Sequence, residues 1–324
     1  MKNKLLLSGL ILALFALMLS CNSSSSNAYP NRAVKYLVPW SPGGMTDISS
    51  RAMAAVLQKA LGTPVNVINR TGGSGVVGHT AISKAAPDGY TLGAVTVEIS
   101  MMRHMKLTTL SHEDYTPLAL LIHNPAGVTV HADSPYNTLQ ELLDAAKASP
   151  GDIQASGTGR GGIWDLARVG MLKAAGMGES DIPWVPSQGA APALQELIAG
   201  GVDVVTASLS EVDALRQAGQ VKVLAVMAEE RQAEFPDIPT LKEQGIDWSI
   251  GGWVSICAPP NLPANVRSTL DSALNIATKA PDFVNALTEA GSTIRIMTGQ
   301  ELADFMKSED EVNGRLMKEA NLSP

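Results

Sequence analysis

Glycines at 73, 75 and 78 give the stretch Gly73-Ser74-Gly75-Val76-Val77-Gly78 the G-x-G-x-x-G spacing of a dinucleotide turn. An acid, Glu98, lies 20 positions past Gly78. In that chemistry the glycines let the backbone approach a pyrophosphate, and the acid holds a ribose hydroxyl. The reading it supports is an NAD-dependent oxidoreductase using the Gly73-Gly75-Gly78 loop. Three further loops share the small-residue composition: Trp40–Asp47, Ala155–Gly162 and Pro186–Pro192. Glycine admits a ligand close to the main chain. A helix N-terminus behind it offers free N–H donors and partial positive charge. Each hydrogen bond to a charged group contributes ~1.5–3 kcal/mol, so a few converging donors reach the ~8 kcal/mol of micromolar binding. Taken singly, each loop reads first as a tight strand-to-helix connection; four in one chain favour a shared anion cleft.

The elements that must carry these loops follow from periodicity. Val34–Val38, Val65–Ile68 and Thr91–Val97 read as strands, and Asp47–Leu61 as a helix with apolar residues at 48, 52, 56 and 60. Strands at Val128–Val130, Ile153–Ala155, Ile182–Val185, Val202–Thr206 and Val221–Met227 alternate with helices. These helices are Thr138–Ala148, Trp164–Ala175, Ala190–Ile198 and Glu211–Ala218. A strand at Trp253–Ala258 precedes a mainly helical tail. Thr138 with Glu141, and Thr298 with Glu301, fit capping boxes. The class is α/β with mainly parallel sheets, the four loops lying past the carboxyl ends of strands, where such sheets bind ligands. No internal repeat is apparent. Gly251-Gly252 and the prolines 259, 260 and 263 suggest a chain crossing between two domains.

The N-terminus sets the compartment. Lys2 and Lys4 precede an apolar run, Leu5 to Leu19, too short for a membrane span but suited to a secretory signal. The run ends at Cys21, as in a lipoprotein cleavage box, and a polar tract, Asn22–Asn27, follows as a tether. The alternative is an ordinary signal with an incidental Cys. Export is expected either way. Removing residues 1–20 takes two lysines and no acid, leaving 22 basic residues against 31 acidic ones, a net charge of −9. That argues against a nucleic-acid partner. Cys257 sits in an apolar run and reads as a buried, inert thiol. The five His show no metal-type spacing, and neither metal nor cofactor is expected.

The runs LVPWSPGGMTDISSRAMA, VINRTGGSGVVGHTAISKAAPDGYTLG, ASGTGRGGIWDLA, VPSQGAAPALQELIAGGVDV and GWVSICAPPNLPANV follow in order. Together they resemble the substrate-binding receptors of tripartite tricarboxylate transporters, the Bug or TctC type. The resemblance implies a two-lobed, periplasmic-binding-protein (Venus flytrap) fold. With the chain crossings read above, domain I is expected at 29–131 plus 253–324 and domain II at 132–252, with 1–28 as lipoprotein signal and tether. A monomer is expected, and the leader's cleavage box makes it lipid-anchored through Cys21 outside the cytoplasm. Such a receptor passes a small carboxylate, tri- or dicarboxylate favoured, to a permease of one large and one small membrane subunit.

The ligand positions it implies are Ser41, Pro42, Gly43, Gly44, Met45 and Asp47, then Thr71, Gly72, Gly73, Ser74 and Gly75. Thr96 joins them from the end of its strand. On the other lobe they are Ser156, Gly157, Thr158, Gly159 and Arg160, with Gly189 and Ala190. Arg160, where many relatives differ, either forks onto a second carboxylate or points to solvent. Asp47 reads as a cap that shapes its loop, with an ion pair to Arg51 also open. Trp164 is either pocket wall or core. The oxidoreductase reading is the weaker one, because export separates the chain from cytoplasmic cofactor. No G-x-S-x-G elbow supports a hydrolase.

Overall fold

The structure of the protein, a computed structural model, describes residues 29–320 and 322; the leader and Cys21 lie outside the described residues. The chain opens with β1 (Val34–Val38), α1 (Met45–Leu61), β2 (Val65–Asn69), α2 (Val76–Ser83) and β3 (Thr91–Thr96). β1 pairs in parallel with both neighbours, Tyr36 standing opposite Val67 and Leu92. α1 forms because Met53, Val56 and Leu57 fall on one buried face, and it ends at Gly62, left-handed at φ 66.

β4 (Thr116–His131) is a 16-residue strand. Beyond it run α3 (Leu139–Ala148), β5 (Ala155–Ser156), α4 (Ile163–Ala174), β6 (Trp184–Val185) and α5 (Ala190–Ile198). They continue with β7 (Val204–Ser208), α6 (Leu209–Gln217), β8 (Val221–Val226) and β9 (Gly251–Ala258). The tail is α7 (Ala264–Ala277), α8 (Pro281–Glu289), β10 (Ile294–Thr298) and α9 (Gly299–Glu319). One sheet runs β2-β1-β3-β9-β4-β10, and the other β6-β5-β7-β4-β8.

The α/β, two-lobed expectation holds, but the pairing is mixed. β1–β2–β3 and β5–β6–β7 are parallel, whereas every pair made by β4 or β9 is antiparallel. The first half of β4 belongs to the first sheet, with Pro125 opposite Gly251, and from Ala126 onward it pairs with Ser208 of the second. Only residues 128–130 of this strand read as β in the sequence. Pro117 and Pro125 lack the N–H a ladder uses, and so mask the rest.

The returning segment lies directly against β4. A Cβ on Gly251 would stand 2.6 Å from the Asn124 carbonyl oxygen. Ile250 is tied to the second lobe by its N–H to Met227 O (3.0 Å) and accepts from Ala126 N–H (2.9 Å). Every residue of β9 is buried, which explains its uninterrupted apolar character. Its Cys257 is a free thiol whose pKa is pushed up to about 12 by burial. The Thr138–Glu141 capping box forms, whereas Thr298 makes no side-chain cap on α9.

Candidate functional site

Two turns of the same design face the interlobe boundary. In the first, Gly43 takes φ +90 and donates its N–H to Asp47 Oδ2 at 3.0 Å. In the second, Gly161 takes φ +70 and donates to Asp165 Oδ2 at 2.9 Å. Positive φ at both makes glycine the residue the turn needs. Gly44 and Gly162 then cap α1 and α4 in extended conformation, without side chains that would fill the helix N-termini. The sequence carries this G-G-x-x-D spacing twice, at 43–47 and 161–165, a short repeat that sequence reading passed over.

Each aspartate shapes its turn and is held from behind. Asp47 accepts from Arg51 Nε (2.9 Å) and Asn69 Nδ2 (2.8 Å). Burial opposes its charge, but the bonds from Arg51, Asn69 and Gly43 hold its carboxyl below the usual range. Asp165 accepts from Arg168 Nε (3.1 Å) and Nη2 (2.6 Å), a pair whose side chains are 1% and 3% exposed. Cap and ion pair therefore coexist at Asp47.

The helix N-termini that these turns present are filled by carboxylates from the opposite lobe. Glu211, in the first turn of α6, accepts the Met45 N–H at 2.8 Å through Oε1. Its Oε2 accepts from Ser208 N–H (3.1 Å) and Ser208 Oγ (2.9 Å). In the other direction Glu98, just past β3, accepts the Ile163 N–H at 3.5 Å through Oε1, and its Oε2 accepts the Thr96 hydroxyl. Burial and then the nearby charge of Glu211 push the Glu98 carboxyl up, against the bonds from Thr96 and Ile163. Burial likewise raises Glu211.

Between the two lies a cavity of about 20 Å³, room for one water. Its wall includes Trp40, Thr158 and Trp164, and among the described residues no Lys, Arg or His lines it. The lobes are shut on each other, and Ser41 N–H also reaches Gln188 O across the boundary at 3.3 Å.

A buried chain supports Glu98. Thr96 N–H donates to His79 Nε2 (3.2 Å), which leaves the proton on Nδ1, facing Gly75 O at 2.9 Å. Trp40 Nε1 donates to Thr96 Oγ1 at 3.3 Å, freeing that hydroxyl's proton for Glu98. Burial keeps His79 neutral, its pKa lowered to about 4.

Of the positions anticipated from sequence, Ser41, Gly44, Met45, Thr96, Thr158, Gly189 and Ala190 line the cavity. Pro42, Gly43 and Asp47 form the turn behind it, and Ser156 is spent on Val185 O at 2.7 Å. Gly157 packs where a Cβ would meet Thr206 O at 2.5 Å. Arg160 is turned outward, its side chain 60% exposed and 3.9 Å from Glu179, so of its two readings the solvent one describes this structure. Trp164 is at once pocket wall and core, at 2% exposure.

The glycine loop has other duties. Thr71 and Gly73 are exposed and Gly72 half-buried, while Ser74 touches the second lobe at Gly159. Gly75 caps α2. A Cβ on Gly78 would lie 2.5 Å from Pro39 Cα, so this glycine lets α2 pack against the end of β1. Glu98, the acid of the dinucleotide reading, is 4% exposed and committed to the cleft. Glu211 was not anticipated as a site residue, and Glu98 only as the acid of the dinucleotide reading. Their signal was position: each follows the C-terminal end of a strand, by two residues after Thr96 and three after Ser208.

Comparisons with known proteins agree with this architecture. The family model described as "Tripartite tricarboxylate transporter family receptor" (TctC) matches residues 49–322. A UPF0065 protein of Bordetella pertussis is 31% identical over 318 residues, spanning 97% of each chain. The solved structure of periplasmic binding protein BugD superposes with TM-score 0.86 at 26% identity, over 91% of this chain and 99% of that one. MatC from Rhodopseudomonas palustris, with bound malate, gives 0.81 at 27% identity over 89% and 99%. A ligand-free TctC solute-binding protein from Polaromonas gives 0.65 at 33% identity over 90% and 99%. The chain belongs to the TctC family of tripartite tricarboxylate transporter receptors.

Proposed function

We propose that this chain is an extracytoplasmic receptor that captures a small carboxylate between its lobes and releases it, chemically unchanged, to a permease with one large and one small membrane subunit. The observation that carries the reading is the pair of facing helix N-termini, each already holding a carboxylate across the cleft. The main-chain donors that bind Glu211 and Glu98 are those a solute's carboxylate would use. That MatC holds malate supports the same class of ligand.

Capture requires opening, since about 20 Å³ holds no organic acid. The hinge we assign is the pair of adjacent crossings at Pro125–Ala126 and Ile250–Gly251. The ligand-free relative superposes less well than malate-bound MatC despite its higher identity, which supports lobes that move as bodies. Lipidation at Cys21 would tether a monomeric receptor at the membrane; among the described residues no helix is long and apolar enough to cross one.

A thermal-shift screen of mono-, di- and tricarboxylates, followed by calorimetry, tests the reading. At least one acid should raise the melting temperature saturably. Saturable NAD binding with turnover, and no response to any acid, would overturn it.

A further inference from the structure

We infer that Glu98 and Glu211 are specificity-determining residues that select a carboxylate carrying a protonated nitrogen over one that is purely anionic. This deepens the receptor reading and rests on it. Two acidic side chains approach the same small cavity from opposite lobes, and no basic side chain among the described residues lines it. The partners of both are neutral: Glu98 is held by Thr96 and Ile163, Glu211 by Ser208 and Met45. A second or third ligand carboxylate brought here would add like charge to a desolvated site, where it is screened least. Burial pushes both carboxyls up, and at Glu98 the nearby charge of Glu211 adds to it.

An ammonium reverses the balance. Each carboxylate can accept about four hydrogen bonds. More sites open once a ligand carboxylate takes over a main-chain donor, but even with the lobes shut Glu98 uses two and Glu211 three, leaving roughly three acceptor sites. That is the number of protons on a primary ammonium. Thr158 adds a buried hydroxyl that borders the cavity and has no partner among the described residues. The ligand's single carboxylate then takes main-chain donors at the glycine turns, as the lobes part and reclose around it. Arg160, the one residue that argued for extra carboxylates, faces outward.

Calorimetry on the full chain, with three pairs of probes matched except for an α-ammonium, tests this: propionate and alanine, succinate and aspartate, glutarate and glutamate. In at least one pair the ammonium member should bind tenfold or more tighter. Glu98→Gln and Glu211→Gln should each erode that preference about tenfold, while leaving the melting temperature of the ligand-free protein within a few degrees. Equal or tighter binding of the deaminated member would overturn the inference and leave the receptor reading standing. So would binding confined to acids without nitrogen, such as citrate or benzoate, or a preference that survives in the double variant. Saturable binding of putrescine alone, lost in both variants, would keep the glutamate assignment and defeat the carboxylate reading.

Discussion

Glu211 Oε1 accepts a 2.8 Å hydrogen bond from Met45 N–H, so a side chain of one lobe closes the first turn of a helix in the other. The same carboxylate holds Ser208 on its own helix, which places two helix N-termini on one charged group. A hydrogen bond to a charged group contributes ~1.5–3 kcal/mol. Glu211→Ala should therefore shift the ligand-free protein toward open lobes by roughly 10–100-fold in population. Small-angle scattering would read this as a larger radius of gyration; an unchanged curve would show that this contact does not hold the lobes.

Gly159 and Ser74 meet across the lobes with no room to spare. A Cβ on Gly159 would fall 2.3 Å from Ser74 Oγ and 2.9 Å from its Cα. Gly159→Ala should wedge the cleft open without unfolding either lobe. Adding Ser74→Gly, at a residue already at φ 53, should restore part of the closure. Scattering measures the wedge, and a near-constant melting temperature separates it from misfolding.

Arg168 and Asp165 form a buried pair beneath the second G-G-x-x-D turn, and Arg168 Nη1 also donates to Glu179 O (2.8 Å) and Ile182 O (2.6 Å). Arg168→Met strands the Asp165 charge and two carbonyls. A loss of about 3–5 kcal/mol is expected in urea unfolding. Removing both charges, with Asp165→Asn added, should recover part of it.

Acid should destabilise the fold through His79. Burial lowers its pKa to about 4, below the ~6.5 of an unfolded chain. Between those values the unfolded state binds more protons than the folded one. Stability therefore rises with pH across this window, and is lost as pH falls from about 6.5 toward 4. His123, also lowered to about 4 by burial and then by Arg295, acts in the same direction. Each contributes up to about 1.4 kcal/mol per pH unit. His79→Gln should flatten the slope of unfolding free energy between about pH 6 and about pH 5 by roughly 1 kcal/mol. An identical slope in the variant would mean that His79 titrates normally.

Much of the fold was legible because its helices and short strands keep their own periods. Val34–Val38 and Ala190–Ile198 were bounded from sequence to the residue. β4 was not, since its first half is interrupted by Pro117 and Pro125 and is held in the ladder by neighbours far away in sequence. The cleft was legible in its glycines, which must meet backbone demands wherever they stand. Its glutamates were not, because an acid in a helix's first turn looks like an ordinary cap until the opposite lobe is seen against it. The glycine fingerprint misled for a related reason: the room that Gly78 leaves is taken by Pro39, not by a phosphate.

β4 serves as a common plank of both sheets, changing partners at Pro125–Ala126 without a break in the strand. Grafting one lobe of such a receptor onto the other lobe of a relative would therefore mean cutting through a continuous ladder. A working hybrid should need its joints at this proline and at Ile250, or else must inherit the whole strand from a single parent.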